Sequence, residues 1–240
     1  MKCVIFCGGK GVRLNELSRE IPKPLLKIGD KPVIERIMDH YAKHEIKDFV
    51  LCLGYLGDKI REYFRNHRTG YNIEMVDTGE NSLKSERLRK VKHLLGDVFF
   101  VSYGDDLCNV DIKKLIDFHN KEKRVATLTA VRLPSSYGTL ELHDFEPHLV
   151  STFREKPLIN EWINGGYFIF DKGIFDYIKD GDELENEVFD KLAKDKQLAA
   201  FRHGGFWKSM NTLKDHIDLN EMFNKGELNK VLGVKNGLAD

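Results

Sequence analysis

Directly behind its first apolar run the chain places a glycine turn, and behind that turn it repeats strand and helix in alternation. Cys3 to Cys7 is a buried strand by its unbroken apolar character. Val33 to His44 repeats apolar residues at helical spacing through Val33, Ile34, Ile37, Met38 and Tyr41. Asp48 to Tyr55 is a strand, and Asp58 to Asn66 a helix with Ile60, Tyr63 and Phe64 on one face. Asn72 to Asp77, Ser85 to Leu95, Val98 to Tyr103 and Asp111 to Glu122 continue as strand, helix, strand, helix. Consecutive strands separated by helices pair in parallel through right-handed crossovers, so the sequence predicts a three-layer α/β fold.

The rhythm changes after residue 125. Ala126 to Leu133, Gly138 to Leu142, Leu149 to Phe153 and Tyr167 to Phe170 are strand-like with short connections, which makes the sheet mixed at one side. A helix over Glu185 to Lys194, a strand at Leu198 to His203 and a helix from Thr212 to Asn224 complete the reading. It gives one domain over residues 1–226 and a loosely held tail over 227–240.

Charge and cysteine content exclude several classes of function. Lys and Arg number 38, as do Asp and Glu, so no global basic field exists to hold a nucleic acid. No apolar run approaches the roughly 20 residues needed to span a bilayer, and a cytoplasmic protein without membrane partners is expected. Cys3, Cys7, Cys52 and Cys108 show no CxxC or zinc-finger spacing and read as small apolar fillers.

Anion binding must therefore be local, and Gly8-Gly9-Lys10-Gly11-Val12-Arg13 is where it belongs. Glycines let successive N–H groups turn toward one point, and the end of a first parallel strand is where open α/β sheets bind ligands. Leu14 stands where the dinucleotide fingerprint needs a glycine, and no Gly-Lys-Ser/Thr closes a P-loop. A plain tight turn is the competing reading. Arg13 favours the phosphate reading, because a guanidinium can fork onto a polyphosphate. Lys23 lies between Pro22 and Pro24, which leave it little backbone freedom, as suits an ammonium held against phosphate more than a solvated turn lysine. Asp105 follows the Val98–Tyr103 strand at the same edge, where a hard carboxylate suits Mg²⁺ bridged to phosphates; a turn-shaping role is the alternative. For Glu155 and Lys156 the alternative is a surface ion pair, and Trp162 and Trp207 read as core or pocket wall.

Taken in order, Gly8-Gly9-x-Gly11-x-Arg13-Leu14, Pro22-Lys23-Pro24-Leu25 and Gly29-Asp30-Lys31-Pro32 resemble the amino-terminal signature of the sugar-1-phosphate nucleotidyltransferases. The resemblance is strongest to glucose-1-phosphate cytidylyltransferases. It is carried by Cys52-Leu53-Gly54-Tyr55, Val76-Asp77-Thr78-Gly79, Arg87-Leu88-Arg89-Lys90-Val91, Tyr103-Gly104-Asp105, Glu155-Lys156-Pro157, Ile163-Asn164-Gly165-Gly166 and Gly205-Phe206-Trp207. It implies a Rossmann-like nucleotidyltransferase fold with a mixed, mainly parallel sheet, often in homo-oligomers. The implied reaction joins CTP and a small phosphorylated substrate into a CDP-linked product, with Mg²⁺ (or Mn²⁺) as cofactor and surface-polysaccharide precursors as the destination.

Carried over by position, Gly8, Gly9, Gly11 and Arg13 would cradle the triphosphate, with Thr78 and Gly104 beside the nucleotide. Lys23 would contact the reacting phosphate, Arg87 would read the base, and Asp105 would bind the metal. Glu155, Lys156, Asn164 and Gly165 would face the acceptor. Departures fall at Val12, for the usual threonine, and at Lys84-Ser85-Glu86, for Thr-Gly-Gly. Asp106 replaces a glycine, and Asn211 a metal-holding aspartate. Asn211 reads first as a helix N-cap; either Asp106 or Asn211 could complete the metal site. The departures keep open a non-sugar acceptor such as a phosphorylated glutamine amide, GTP or UTP as donor, and an inactive nucleotide-binding relative.

Overall fold

A computed structural model of the chain describes residues 1–11, 14 and 17–234. The strands among the described residues are, in order, β1 (Cys3–Phe6), β2 (Lys27–Ile28), β3 (Lys31–Pro32), β4 (Asp48–Leu53), β5 (Asn72–Asp77), β6 (Val98–Tyr103) and β7 (Asp106–Cys108), then β8 (Ala126–Val131), β9 (Thr139–Leu142), β10 (Val150–Arg154), β11 (Ile163–Asp171), β12 (Leu198–Arg202) and β13 (Trp207–Ser209). The helices are α1 (Leu17–Glu20), α2 (Val33–Ala42), α3 (Gly57–Asn66), α4 (Lys84–Val91), α5 (Ile112–Glu122), α6 (Ile174–Tyr177), α7 (Phe189–Lys194), α8 (Leu213–Asn224) and α9 (Glu227–Val231).

Seven strands form the central sheet in the order β12-β8-β11-β6-β1-β4-β5. All adjacent pairs are parallel except those made by β11, which runs antiparallel to both β6 and β8. The sheet is thus mixed and mainly parallel, as expected. Its central strands are buried on both faces, which is why β1 and β4 read as unbroken apolar runs. Ile5, Leu51, Phe100 and Tyr167 pack on one side, with Ile34, Ile37 and Met38 of α2 and Leu115 of α5. Val4, Val50, Val101 and Phe168 pack on the other, with Leu88 of α4 and Leu192 of α7. Cys3 and Cys7 share the first core and Cys52 sits in the second, all as free buried thiols. Burial pushes the Cys52 thiol up to about 12, so it behaves as a filler and not as a nucleophile.

The helix caps are local and specific. Asp111 accepts from the Lys114 backbone N–H at 3.0 Å to start α5, and Thr212 exchanges bonds with Asp215 to start α8. Between Glu183 and α7 the chain takes a π-helical turn over Leu184–Val188. Beyond the sheet, β9 and β10 form a hairpin with Phe145, Tyr137 and Phe153 largely exposed.

Residues 227–234 depart from the expected loose tail. They form α9 and a closing turn, and Leu228 and Leu232 bury their side chains in the first core. Lys43 donates to the Leu232 carbonyl at 2.5 Å, which ties the segment to α2. The rest of the expected tail, 235–240, lies outside the described residues. Among the described residues no helix is long and apolar enough to cross a membrane.

Candidate active site

Parallel pairing sets the site's position. β1 and β6 run side by side with Phe6 opposite Tyr103, so both strands release their next residues at one sheet edge. Gly8 and Gly9 leave β1 there, and Gly104 and Asp105 leave β6 beside them. A Cβ at Gly104 would stand 2.7 Å from the Phe6 carbonyl, so only glycine lets the two ends approach this closely.

Lys23 reaches this edge from the other side. Pro22 is extended at φ −60°, ψ 138°, and Lys23 opens a short 3₁₀ turn, Lys23–Leu25, anchored by the buried Pro24. The Lys23 ammonium forms an ion pair with the Asp105 carboxylate and donates to Asn211 Oδ1 at 3.0 Å. Asn211 is held in turn by its own Nδ2, which donates to Ser209 Oγ at 2.8 Å. The N-cap of α8 is Thr212, so the capping role expected of Asn211 belongs to its neighbour. Asn211 instead turns its amide oxygen toward Lys23.

A cavity of about 640 Å³ opens over this group, lined by Gly11, Lys23, Asp105, Asp106, Asn164 and Asn211, with Lys84, Tyr103 and Trp207 among its other walls. Asp106 is 4% exposed. Burial first, and then the adjacent Asp105 charge, raise its carboxyl to about 8. Gly166, at φ +75°, makes room for it: a Cβ there would lie 2.2 Å from Asp106 Oδ2.

Behind the glycine turn, Arg87 acts as a clasp. Its Nη1 donates to the Leu53 carbonyl at 2.9 Å and to Thr78 Oγ1 at 2.7 Å, and its Nη2 to the Gly8 and Glu80 carbonyls at 3.1 Å each. At 4% exposure the guanidinium faces the backbone at the ends of β1, β4 and β5, not the cavity. Thr78 is fully buried and donates to Leu53, so it too lies behind the turn.

The remaining expected residues separate cleanly. Gly9 is exposed, with open space where a Cβ would stand, and Gly8 is buried against Arg87. Gly165 is buried, its carbonyl accepting from Trp207 Nε1 at 2.7 Å. Glu155 and Lys156 lie on the surface as a loose ion pair at 3.9 Å, each more than 60% exposed, and do not line the cavity. Arg13 and Val12 lie outside the described residues.

Lys84 and Tyr103 line the cavity and share Glu185 as a partner, an arrangement that no sequence pattern marks. Lys84 pairs with Glu185 at 2.6 Å and sits over the Tyr103 ring at 4.8 Å. Tyr103 donates to Glu185 and accepts from Asn164 Nδ2 at 3.1 Å. Burial and Glu185 together push the Tyr103 hydroxyl far above the usual phenol range. The three-residue departure around Lys84 thus has local explanations: Ser85 donates to the Asp182 carbonyl, and Glu86 accepts from the Leu83 N–H at 3.1 Å.

In chemical terms the cavity gathers two ammoniums, two carboxyls and two side-chain amides at the carboxyl edge of a parallel sheet, beside a glycine turn. Hard oxygen donors at Asp105 and Asn211 suit Mg²⁺, which ordinarily takes one or two carboxylates and fills its other positions with water and phosphate. Among the described residues no three His, Cys, Asp or Glu side chains converge to hold a metal alone. Such an ion would share its coordination with a bound polyphosphate.

These features define a nucleotide-handling α/β enzyme. Residues 2–226 match the nucleotidyl transferase family model, and the chain belongs to that family. It is 38% identical over 251 residues to the probable glucose-1-phosphate cytidylyltransferase of Bacillus subtilis, covering 95% of this chain and 98% of that protein. It is also 38% identical to the glucose-1-phosphate cytidylyltransferase of Salmonella typhi, covering 95% and 97%. The crystal structure of HddC from Yersinia pseudotuberculosis, at 24% identity, superposes with a TM-score of 0.72 over 92% of this chain and 99% of that one, and so shares its fold.

Proposed function

We propose that this chain transfers a cytidylyl group from CTP to a sugar 1-phosphate, with glucose 1-phosphate as the default acceptor. The observation that carries the reading is the convergence of Lys23, Asp105 and Asn211 on one cavity beneath the Gly8–Gly11 turn. In the reaction an oxygen of the acceptor phosphate attacks the α-phosphorus of CTP. A new P–O bond forms, the bond to the β-phosphate breaks, and pyrophosphate leaves with the electron pair. The acceptor is already ionised near neutral pH, so no side-chain base is required; positioning and charge compensation supply the rate.

Lys23 is the cation placed to meet phosphate oxygens, exchanging its bonds to Asp105 and Asn211 for them. Those two oxygens are then free to hold Mg²⁺ or Mn²⁺, which supplies charge neutralisation of the triphosphate when bound. Arg87 acts at one remove, holding the glycine turn in shape. Asn164 and Tyr103, which line the cavity, would face the acceptor. The setting is cytoplasmic synthesis of activated precursors for surface polysaccharide, by an enzyme that assembles with copies of itself.

Incubation with CTP, glucose 1-phosphate and Mg²⁺ should release pyrophosphate and give a product of CDP-hexose mass. Chelation should abolish turnover, and Mg²⁺ or Mn²⁺ should restore it. Absence of pyrophosphate with all four nucleoside triphosphates and a panel of sugar phosphates would end the reading.

A further inference from the structure

The cavity edge continues outward along the sheet, and what it carries there is cationic. Asn164, a cavity residue on β11, stands opposite Ala130 of β8, and Ala130 stands opposite Arg202 of β12. Opposed residues share a sheet face, so Arg202 lies on the Asn164 face two strand spacings away, about 10 Å. Arg132, two residues beyond Ala130, and Trp162, two before Asn164, come to the same corner. Both guanidiniums sit over the Trp162 ring, Arg202 at 5.4 Å and Arg132 at 5.9 Å from its centroid.

Arg132 is partly committed to the backbone, with Nε donating to the Ile159 carbonyl at 2.7 Å and Nη2 to Asn160 Oδ1 at 3.1 Å. Arg202 is exposed and has no hydrogen bond or ion pair among the described residues. Glu161, beside Trp162 in the chain, forms no ion pair among them either. Two like charges thus share one indole, neither with an ion-pair partner among the described residues, in a chain whose formal charge sums to zero. An anion bridging them would relieve their repulsion and meet a planar donor fork.

The geometry points to an anion subsite at the far end of the acceptor pocket, built from Arg202 and Arg132 on the Trp162 platform. Its occupant is a second acidic group, a carboxylate, on the end of the acceptor remote from its phosphate. This inference rests on the transfer reading above for the word acceptor, and it refines the default given there: a phosphorylated acid is preferred as acceptor over the neutral glucose 1-phosphate, which remains a weaker substrate.

Glucose 1-phosphate and glucuronic acid 1-phosphate share a ring and a phosphate and differ by the carboxylate, so they isolate the effect. Binding of each to the full chain is measured by calorimetry with Mg²⁺ and a non-transferable CTP analogue, and pyrophosphate release is followed separately with CTP. The acid should bind at least about tenfold more tightly than glucose 1-phosphate, one charge-assisted contact being worth that much. In Arg202→Gln the ratio should fall to near one, and in Arg132→Gln it should fall in part. Because Arg202 is exposed, an unchanged melting temperature certifies the variant. Equal affinities, a ratio that survives in Arg202→Gln, or no binding of either acceptor overturns the subsite. Preferential binding of the acid without pyrophosphate release leaves the subsite standing and removes the transfer reading. Pyrophosphate release with equal affinities does the opposite.

Discussion

The Arg87 guanidinium lies so close over Gly8 that a Cβ at residue 8 would come within 2.1 Å of Nη1. Gly8 accepts from the same group through its carbonyl at 3.1 Å. The glycine turn is therefore shaped from beneath by a buried cation whose other partners are the Leu53 and Glu80 carbonyls and the Thr78 hydroxyl. Burial lowers the Arg87 pKa, but a guanidinium stays charged at any working pH, so the charge is compensated by aligned carbonyl dipoles.

Arg87→Met should destabilise the chain by about 2–4 kcal/mol, because it strands buried carbonyls and removes the clasp. Gly8→Ala should cost a similar amount by collision with the guanidinium. The double variant should lose clearly less than the sum, since removing the guanidinium removes the collision. Urea unfolding of the four proteins measures the coupling; additivity would show that the two residues act independently.

Lys23→Ala should lower the transfer rate by about 10²–10³-fold, the range for losing a preorganised charge at a reacting centre. Its structural loss should be small, because the variant leaves Asp105 and Asn211 partly exposed at a cavity that solvent can reach. Steady-state rates paired with thermal melts separate these effects. A large loss of stability with unchanged kcat would assign Lys23 to the fold.

Gly166→Ala should destabilise by roughly 2 kcal/mol or more, through the left-handed backbone at φ +75° and displacement of the buried Asp106 carboxyl. Denaturant midpoints report it directly. Because Asp106 walls the cavity, the same variant should also raise the KM for at least one substrate.

His40 sets the expected response to acid. Burial, followed by the nearby His44 and Lys43 charges, lowers its pKa from 6.5 to about 4. The unfolded chain then binds a proton at this side chain more readily than the folded one between those values, so the His40 contribution to stability is full above about pH 6.5 and is lost as pH drops toward 4, while the raised Asp106 carboxyl works in the opposite sense over the same range. The loss is on the order of 3 kcal/mol at the lower end. His40→Gln should flatten that part of the stability–pH curve, as followed by urea midpoints at several pH values.

How far the chain could be read from its residues depended on the range of the interaction. β1, β4 and β6 announce themselves because burial on both faces makes their sequences continuously apolar. The Gly8–Gly11 turn, Lys23 and Asp105 were legible because each sits just beyond such a strand or between two prolines. Asn211 was not: Asn and Thr are both good caps, and only the distant Lys23 decides which of Asn211 and Thr212 turns inward. The inward orientation of Arg87 likewise depends on the Gly8 and Leu53 carbonyls, which are far away in sequence. Glu185 stands on a π-helical turn, whose extra residue shifts the side-chain phase that helical periodicity assumes. Leu228 and Leu232 are spaced for a helix, but too few apolar residues surround them to outweigh a polar tail.

Lys23 meets Asp105 across 82 residues and Asn211 across 188. During synthesis the first two can come together as soon as β6 has emerged, but their third partner arrives only with the segment that also supplies β13. Until then the ammonium has one partner, and the strip β7, whose neighbour is β13, has an open margin. A nascent or carboxyl-truncated chain ending before residue 207 would hence retain most of its sheet yet lack a finished floor, so ribosome-bound intermediates should acquire ligand protection late and abruptly.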